Sequence, residues 1–133
     1  MEVTLAVLAD YANVTREGKV NILGIFNILY AKSFPVIHNT MQLVMSFEAH
    51  RSEEGEPKDL MVKLLDEDGQ KILEMGGPFK VGKPKDPKEM IIKSNQMLVI
   101  NNLQFNKPGN YVFSVLIGGD TKERVPLKVI ELS

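Results

Sequence analysis

The chain of 133 residues contains no cysteine and no tryptophan. The missing cysteine excludes disulfide bonds, thiolate metal sites and a cysteine nucleophile. A fold that needs no disulfide is typical of a reducing compartment, so a cytoplasmic location is expected. Aromatic residues make up only 7% of the chain. This composition disfavours an exposed aromatic platform for sugars or nucleic acids.

The sequence also lacks an excess of either charge and lacks a long apolar run. Sixteen basic and 17 acidic residues leave a formal net charge of −1. Binders of nucleic acids and anionic membranes usually carry a basic excess, so neither partner is expected. No stretch approaches the ~20 apolar residues of a membrane span. The apolar segment Val3–Ala9 has no basic residue before it and is followed by Asp10, which predicts a first strand rather than an export signal.

No ten-residue segment shows helical periodicity, whereas alternation of period two recurs throughout the chain. It is clearest in the last quarter, where a Gly118-Gly119-Asp120 turn separates two alternating runs. One face of this hairpin comprises Tyr111, Phe113, Val115, Ile117, Val125, Leu127 and Val129. The segment Met41–His50 alternates in the same way. Seven to nine such strands predict an all-β, two-sheet, immunoglobulin-like sandwich of Greek-key type, forming a single domain over residues 1–133.

The run from Leu103 through Phe105 and Pro108-Gly109 to Tyr111 resembles the tyrosine corner of immunoglobulin-like sandwiches. In that corner the tyrosine hydroxyl bonds to a backbone carbonyl a few residues upstream. We therefore predict a structural role for Tyr111.

The first two predicted strands, Val3–Tyr11 and Val20–Tyr30, are apolar on both faces. Such strands either lie centrally under a covering loop or present an interface. Gly24 interrupts the second strand, which indicates a bulge or a close backbone approach. The candidate interface residues are Leu8, Leu23, Ile25 and Leu29. Because identical chains commonly pair around a two-fold axis, the sequence predicts a self-associating interaction module, most simply a homodimer. Another protein is the alternative partner.

The sequence offers little chemistry. Its two histidines, His38 and His50, lie in no catalytic motif and do not have the spacing of metal ligands. We therefore predict no catalytic residue, no metal site and no cofactor. One alternative is a module that binds a small anion or sugar through loops 31–40 and 76–88. The candidate contacts for that ligand are His38, Asp10, Tyr11, Lys80 and Lys83. A remote alternative is a hydrolase that uses His38 with Asp10.

The segment LAVLADYANVTREGKVNILGIFNILYA (residues 5–31), followed by Ser33-Phe34-Pro35 and a later LLDEDGQKIL, resembles an uncharacterised bacterial family of small single-domain β-sandwich proteins. The similarity spans most of the chain and is most specific over its first 35 residues. The resemblance implies a cytoplasmic bacterial protein with no assigned activity, and it brings no catalytic residues. It also implies that Asp10, Tyr11, Gly24 and Phe26 belong to a repeated pattern.

Overall fold

A computed structural model describes residues 1–133 as two β-sheets packed face to face. The strands are β1 (Glu2–Val14), β2 (Val20–Phe26), β3 (Ile28–Ala31), β4 (Val36–His50), β5 (Pro57–Leu65), β6 (Lys71–Lys80), β7 (Ile91–Phe105), β8 (Gly109–Ile117) and β9 (Asp120–Glu131). The one helical segment is a three-residue 3₁₀ turn, Arg51–Glu53. No helix is long or apolar enough to cross a membrane.

The four-stranded sheet has the order β2-β1-β4-β7, and the five-stranded sheet has the order β3-β9-β8-β5-β6. Three hairpins, β1–β2, β5–β6 and β8–β9, stay within one sheet, while the other connections cross between the sheets. Neighbouring strands are antiparallel except for β3 and β9, which run parallel. This crossing pattern is the Greek-key arrangement of an immunoglobulin-like sandwich. The fold predicted from the sequence is confirmed.

The main core lies between the sheets and contains 18 buried residues. The strands β4, β8 and β9 supply it through alternate side chains, as their period-two pattern predicts. From β4 these are Met41, Leu43, Met45 and Phe47; from β8, Tyr111, Phe113, Val115 and Ile117; from β9, Val125, Leu127 and Val129. The hydroxyl of Tyr111 donates to the carbonyl oxygen of Lys107 at 2.6 Å, and this confirms the tyrosine corner.

Two irregular segments are shorter than predicted. The strand β4 begins at Val36, so little of loop 31–40 is irregular. The strand β6 continues to Lys80, where it pairs with Pro57 of β5. Glycine and proline are tolerated in β6 because it is the edge strand of its sheet. The irregular connection between β6 and β7 is therefore residues 81–90.

The predicted second strand is in fact two strands, β2 and β3, which belong to different sheets. The chain crosses between them at Asn27, whose carbonyl oxygen accepts a hydrogen bond from the backbone N–H of Lys128 at 2.9 Å. The sequence did not reveal this break, because the apolar alternation continues across it.

The end of the β1–β2 hairpin folds back over the outer face of the four-stranded sheet. At about 3.3 Å per residue, a straight β1 would carry Val14 roughly 33 Å from Thr4. Instead, Gly18 and Val20 line the same cleft as Thr4 and Ser46. The bend lies where Asp10 faces Gly24, whose φ of 72° is a left-handed conformation. We call residues 11–23, beyond this bend, the arm.

The arm covers a second, smaller core on the outer face of the sheet. Ala9, Ala12 and Val44 are buried there, and Ala12 belongs to the arm. The half-buried side chains around them are Leu5, Val7, Val20, Ile22 and Met97. The double-faced hydrophobicity of β1 therefore has an internal explanation, because one face enters the main core and the other lies under the arm.

Candidate functional site

The exposed apolar surface of the β1–β2 hairpin is the first candidate site. Tyr11, Leu23 and Ile25 are 53%, 69% and 62% exposed, respectively. Tyr11 and Leu23 are directly paired across the arm, and Ile25 lies just beyond the bend, opposite Ala9. The predicted exposure of Leu23 and Ile25 agrees with the structure.

The other two candidate interface residues are placed differently. Leu8 is fully buried in the main core, opposite Phe26, so its assignment to an outer surface was wrong. Leu29 is half-buried and packs against the same core from β3. When both faces of a strand are apolar, alternation alone does not identify the face that enters the core.

No charged residue lies in β2, whose sequence is VNILGIF. This strand is at the edge of its sheet. On the arm, the side-chain amide of Asn21 donates to the Oδ1 of Asn13 at 3.0 Å. The apolar pair of Tyr11 and Leu23 is therefore followed by a neutral polar pair. Edge strands of monomeric proteins are commonly protected by charges or proline. The strand β2 has neither a charge nor a proline, and its only residue with an irregular backbone conformation is Gly24.

A polar cleft of about 510 Å³ is the second candidate site. It lies between the outer face of the four-stranded sheet, the tip of the arm and the β6–β7 connection. Its lining residues are Thr4, Gly18, Val20, Ser46, Glu48, Lys83, Lys85, Glu89, Ile91, Lys93, Ser94 and Asn95. In its floor, the Ser46 hydroxyl donates to the Asn95 side chain at 2.6 Å.

Most charges in this cleft have no ionic partner within the protein. Lys83, Lys93, Glu48 and Glu89 take part in none of the six ion pairs. Lys85 donates from its Nζ to the carbonyl oxygen of Glu17 at 3.1 Å, and so connects the cleft wall to the arm. The lysines outnumber the glutamates by three to two. Such a surface attracts an anion moderately, and the ammonium groups of Lys83 and Lys93 are free to donate.

The structure separates the candidate ligand contacts from one another. Lys83 lines the polar cleft, whereas Lys80 lies outside it at the end of β6. His38 is half-buried in β4, and its ring centroid lies 6.0 Å from that of Phe26. The carboxylate of Asp10 lies against Gly24. No hydrogen bond connects Asp10, Tyr11 and His38, so the structure does not assemble the pair considered for a hydrolase.

Sequence reasoning missed the part of the cleft that the sheet contributes. Lys93 and Asn95 point outward from β7, and they lie opposite Glu48 and Ser46 of β4. A signal was present, since both strands alternate with polar residues at these positions. Long-range strand pairing, however, was needed to join them to Lys83. No group of three or more histidine, aspartate or glutamate side chains is arranged to hold a metal ion.

Comparisons with known proteins support the fold and the family. No curated protein matches the chain. The Pseudomonas fluorescens alkylpurine DNA glycosylase AlkC, solved bound to DNA containing an abasic site analogue, matches with a TM-score of 0.55 at 9% identity. The match covers 97% of this chain, but this chain spans only 30% of the glycosylase, and the likeness concerns the fold alone.

An immunoglobulin-like protein from Pseudomonas aeruginosa gives a TM-score of 0.40 at 14% identity, covering 97% of this chain and 95% of its own. The family comparison is more direct, because a single family model matches residues 4–130, almost the whole chain. The resemblance to an uncharacterised family is thereby confirmed: the chain belongs to the family of unknown function DUF6941.

Proposed function

We propose that the protein is a non-catalytic interaction module that self-associates through the exposed apolar side chains of its β1–β2 hairpin. The observation that carries the proposal is the exposure of Tyr11, Leu23 and Ile25 on one edge hairpin whose β2 strand carries no charge. Clusters of large apolar side chains on a surface are typical of interaction sites. A cytoplasmic location is part of the proposal and rests on the cysteine-free composition.

A second copy of the chain is the partner that this surface fits. In a two-fold contact every residue meets the same surface on its partner, so a charged patch would repel itself. The hairpin surface limits this repulsion, because Leu23 and Ile25 lie in a strand without charge and Asn13 and Asn21 extend it. The carboxylate of Asp10, at the bend, lies against Gly24. Three side chains are fewer than a standard interface provides, so we expect a dissociation constant of roughly micromolar or weaker.

Sedimentation-velocity ultracentrifugation over a range of about 5 to 500 µM, chosen for that affinity, tests the proposal. We expect the sedimentation coefficient to rise with concentration toward the value of a dimer. The substitution Leu23→Asp should abolish the rise, because it places a charge at the centre of the patch.

Ile37→Asp is the matched control, because Ile37 is also exposed, at 55%, but lies on β4. It should leave the concentration dependence unchanged. A wild-type protein that stays monomeric throughout the range would overturn the proposal, and so would equal effects of the two substitutions.

The polar cleft supports a second candidate function, the binding of a small anion. Lys83 and Lys85 come from the β6–β7 connection and Lys93 from β7, so three ammonium groups border one cleft. Isothermal titration calorimetry with inorganic phosphate tests this function. Lys83→Ala should weaken binding several-fold, whereas Lys80→Ala should not, because Lys80 lies outside the cleft. An absence of heat from wild-type protein with 10 to 50 mM phosphate, roughly the range of the weakest specific binding, would exclude it.

A further inference from the structure

The strand β1 has a free backbone edge along its first half. Residues Glu2–Ala9 pair with β4 on one side. On the other side, β2 pairs only with residues Leu8–Val14. No backbone hydrogen bond connects Glu2–Val7 to any group on this second side. The N–H and C=O groups that point outward from this edge are therefore available to another strand.

This edge is free because the chain leaves the sheet early. After Phe26 pairs with Leu8, the chain crosses at Asn27 and pairs β3 with β9 instead. The place beside Glu2–Val7 that a longer β2 would fill holds no hydrogen-bonded strand. The nearest strand on this side is β9 of the other sheet, whose Lys122 pairs with Glu2 at 3.8 Å. A stretch of β9, Asp120–Leu127, is also unpaired on this side of the sandwich.

The two free edges differ in their protection. The edge of β9 contains Pro126, which has no N–H to donate, and the charged residues Lys122 and Arg124. From Val3 to Ala9, by contrast, β1 contains neither a charge nor a proline. Natural proteins commonly place such residues on edges to prevent strand pairing. Of these two edges, only that of β1 is chemically suited to accept a strand.

An apolar cleft of about 290 Å³ adjoins the end of this edge. Its lining residues are Ala6, Val7, Leu8, Ile25, Phe26, Asn27, Val125 and Pro126. The cleft therefore combines part of the free edge with side chains from β2 and β9. Its volume is sufficient for one large aliphatic or aromatic side chain.

We propose that the free edge of β1 binds an extended segment of a partner protein by strand addition, with one large apolar side chain of that segment in the cleft. The backbone edge selects an extended peptide, since only another strand can satisfy a row of outward N–H and C=O groups. The lack of charge from Val3 to Ala9 and the lining of the cleft select an uncharged segment. A bulge between Val3 and Leu5 confines regular pairing to the residues from Leu5 onward, so the segment is short.

Peptide titration followed by ¹⁵N–¹H correlation spectroscopy tests this inference. The probe is acetyl-Thr-Val-Phe-Val-Thr-amide, an extended uncharged peptide with one aromatic anchor. We expect concentration-dependent shifts at the amides of Leu5–Val7 and at Ile25. The same peptide with alternate amide nitrogens methylated is the matched control, because it keeps the side chains but loses the donors for pairing.

Methylation should weaken binding at least tenfold, and so should replacement of the phenylalanine by glutamate. Ile25→Asp should also weaken binding of the unmodified peptide, whereas Ile37→Asp should not. Equal affinity for the methylated peptide would overturn strand addition, as would an absence of shifts along β1. The titration is repeated with the Leu23→Asp variant, which is expected not to self-associate. Peptide binding is then measured independently of dimer formation, so that failure of self-association and failure of strand addition give different results.

Discussion

The carboxylate of Asp10 occupies the space in which a side chain on Gly24 would stand. A Cβ placed on Gly24 would lie 3.0 Å from the Asp10 Cγ and 3.2 Å from the Asp10 Cβ. The two residues lie at the bend of the β1–β2 hairpin, where Gly24 has a φ of 72°. The bend lays the arm on the sheet, and the second core depends on it.

Replacement of Gly24 by alanine should destabilise the protein for two separate reasons. A residue with a side chain at positive φ carries strain of about 1 to 3 kcal/mol, and the new methyl group must also displace Asp10. Gly69→Ala is the matched control, because Gly69 has a similar φ of 80° but no atom near its would-be side chain. In urea unfolding, Gly24→Ala should lose clearly more stability than Gly69→Ala.

The contribution of Asp10 can be separated with a second substitution. In the Asp10→Ala background the carboxylate is gone, so the extra cost of Gly24→Ala should fall toward that of Gly69→Ala. If the cost does not change in that background, contact with the Asp10 carboxylate does not limit the bend.

The packing of the arm predicts losses of stability of different size for two neighbouring residues. Ile22 is half-buried against the second core, whereas Leu23 is 69% exposed. Ile22→Ala should reduce the free energy of unfolding by about 1 to 2 kcal/mol, below the cost at a fully buried site. Leu23→Ala should change it by less than about 0.5 kcal/mol. Equal losses in denaturant unfolding would show that the arm does not lie on the sheet.

The sandwich was accessible from the sequence because most strands bury only one face. In β4, β8 and β9 the residues of the main core alternate with residues that point away from it, and this period-two pattern identifies both the strand and its inner face. The tyrosine corner was also readable, since Tyr111 follows Pro108-Gly109 at the spacing of a known local motif. These features depend on residues that are close in sequence.

The arm and the clefts were not accessible, because they depend on contacts distant in sequence. Gly24 was recognised as a break, but nothing near it shows that the hairpin folds back there. Leu8 was assigned to the wrong face because both faces of β1 are apolar, and the alternation does not show which of them enters the core. The cleft unites Lys83, Lys93 and Thr4, which three different parts of the chain supply.

Loss of the tyrosine-corner hydrogen bond should have a measurable cost. Tyr111 is buried, and burial raises the pKa of its hydroxyl. Tyr111→Phe removes the donor to the Lys107 carbonyl and should reduce stability by about 1 kcal/mol. Tyr30→Phe is the control, because Tyr30 is 61% exposed and its hydroxyl has no hydrogen bond within the protein. If Tyr111→Phe is as stable as the control in guanidinium unfolding, the hydrogen bond of the tyrosine corner does not stabilise the fold.

The acid stability of the protein should depend on Glu53. Its carboxylate accepts hydrogen bonds from the Lys58 ammonium at 2.9 Å, the His50 backbone N–H at 2.8 Å and the Met1 amino group at 3.2 Å. These donors, Lys58 foremost, lower the pKa of Glu53 from 4.5 to about 2. Because the folded state holds the carboxylate ionised, the stabilisation is complete above the unfolded pKa of about 4.5 and is lost as the pH falls toward 2.

Urea unfolding at several pH values between 7 and 2 should reveal this loss. Glu53→Gln should be less stable than wild type at pH 7, and the difference should shrink as the pH falls below about 4.5, since protonation then removes the same charge from the wild type. Glu54→Gln is the control, because Glu54 is exposed and makes no ion pair. It should follow the wild-type profile. A constant difference between Glu53→Gln and wild type across this range would mean that ionisation of Glu53 is not coupled to folding.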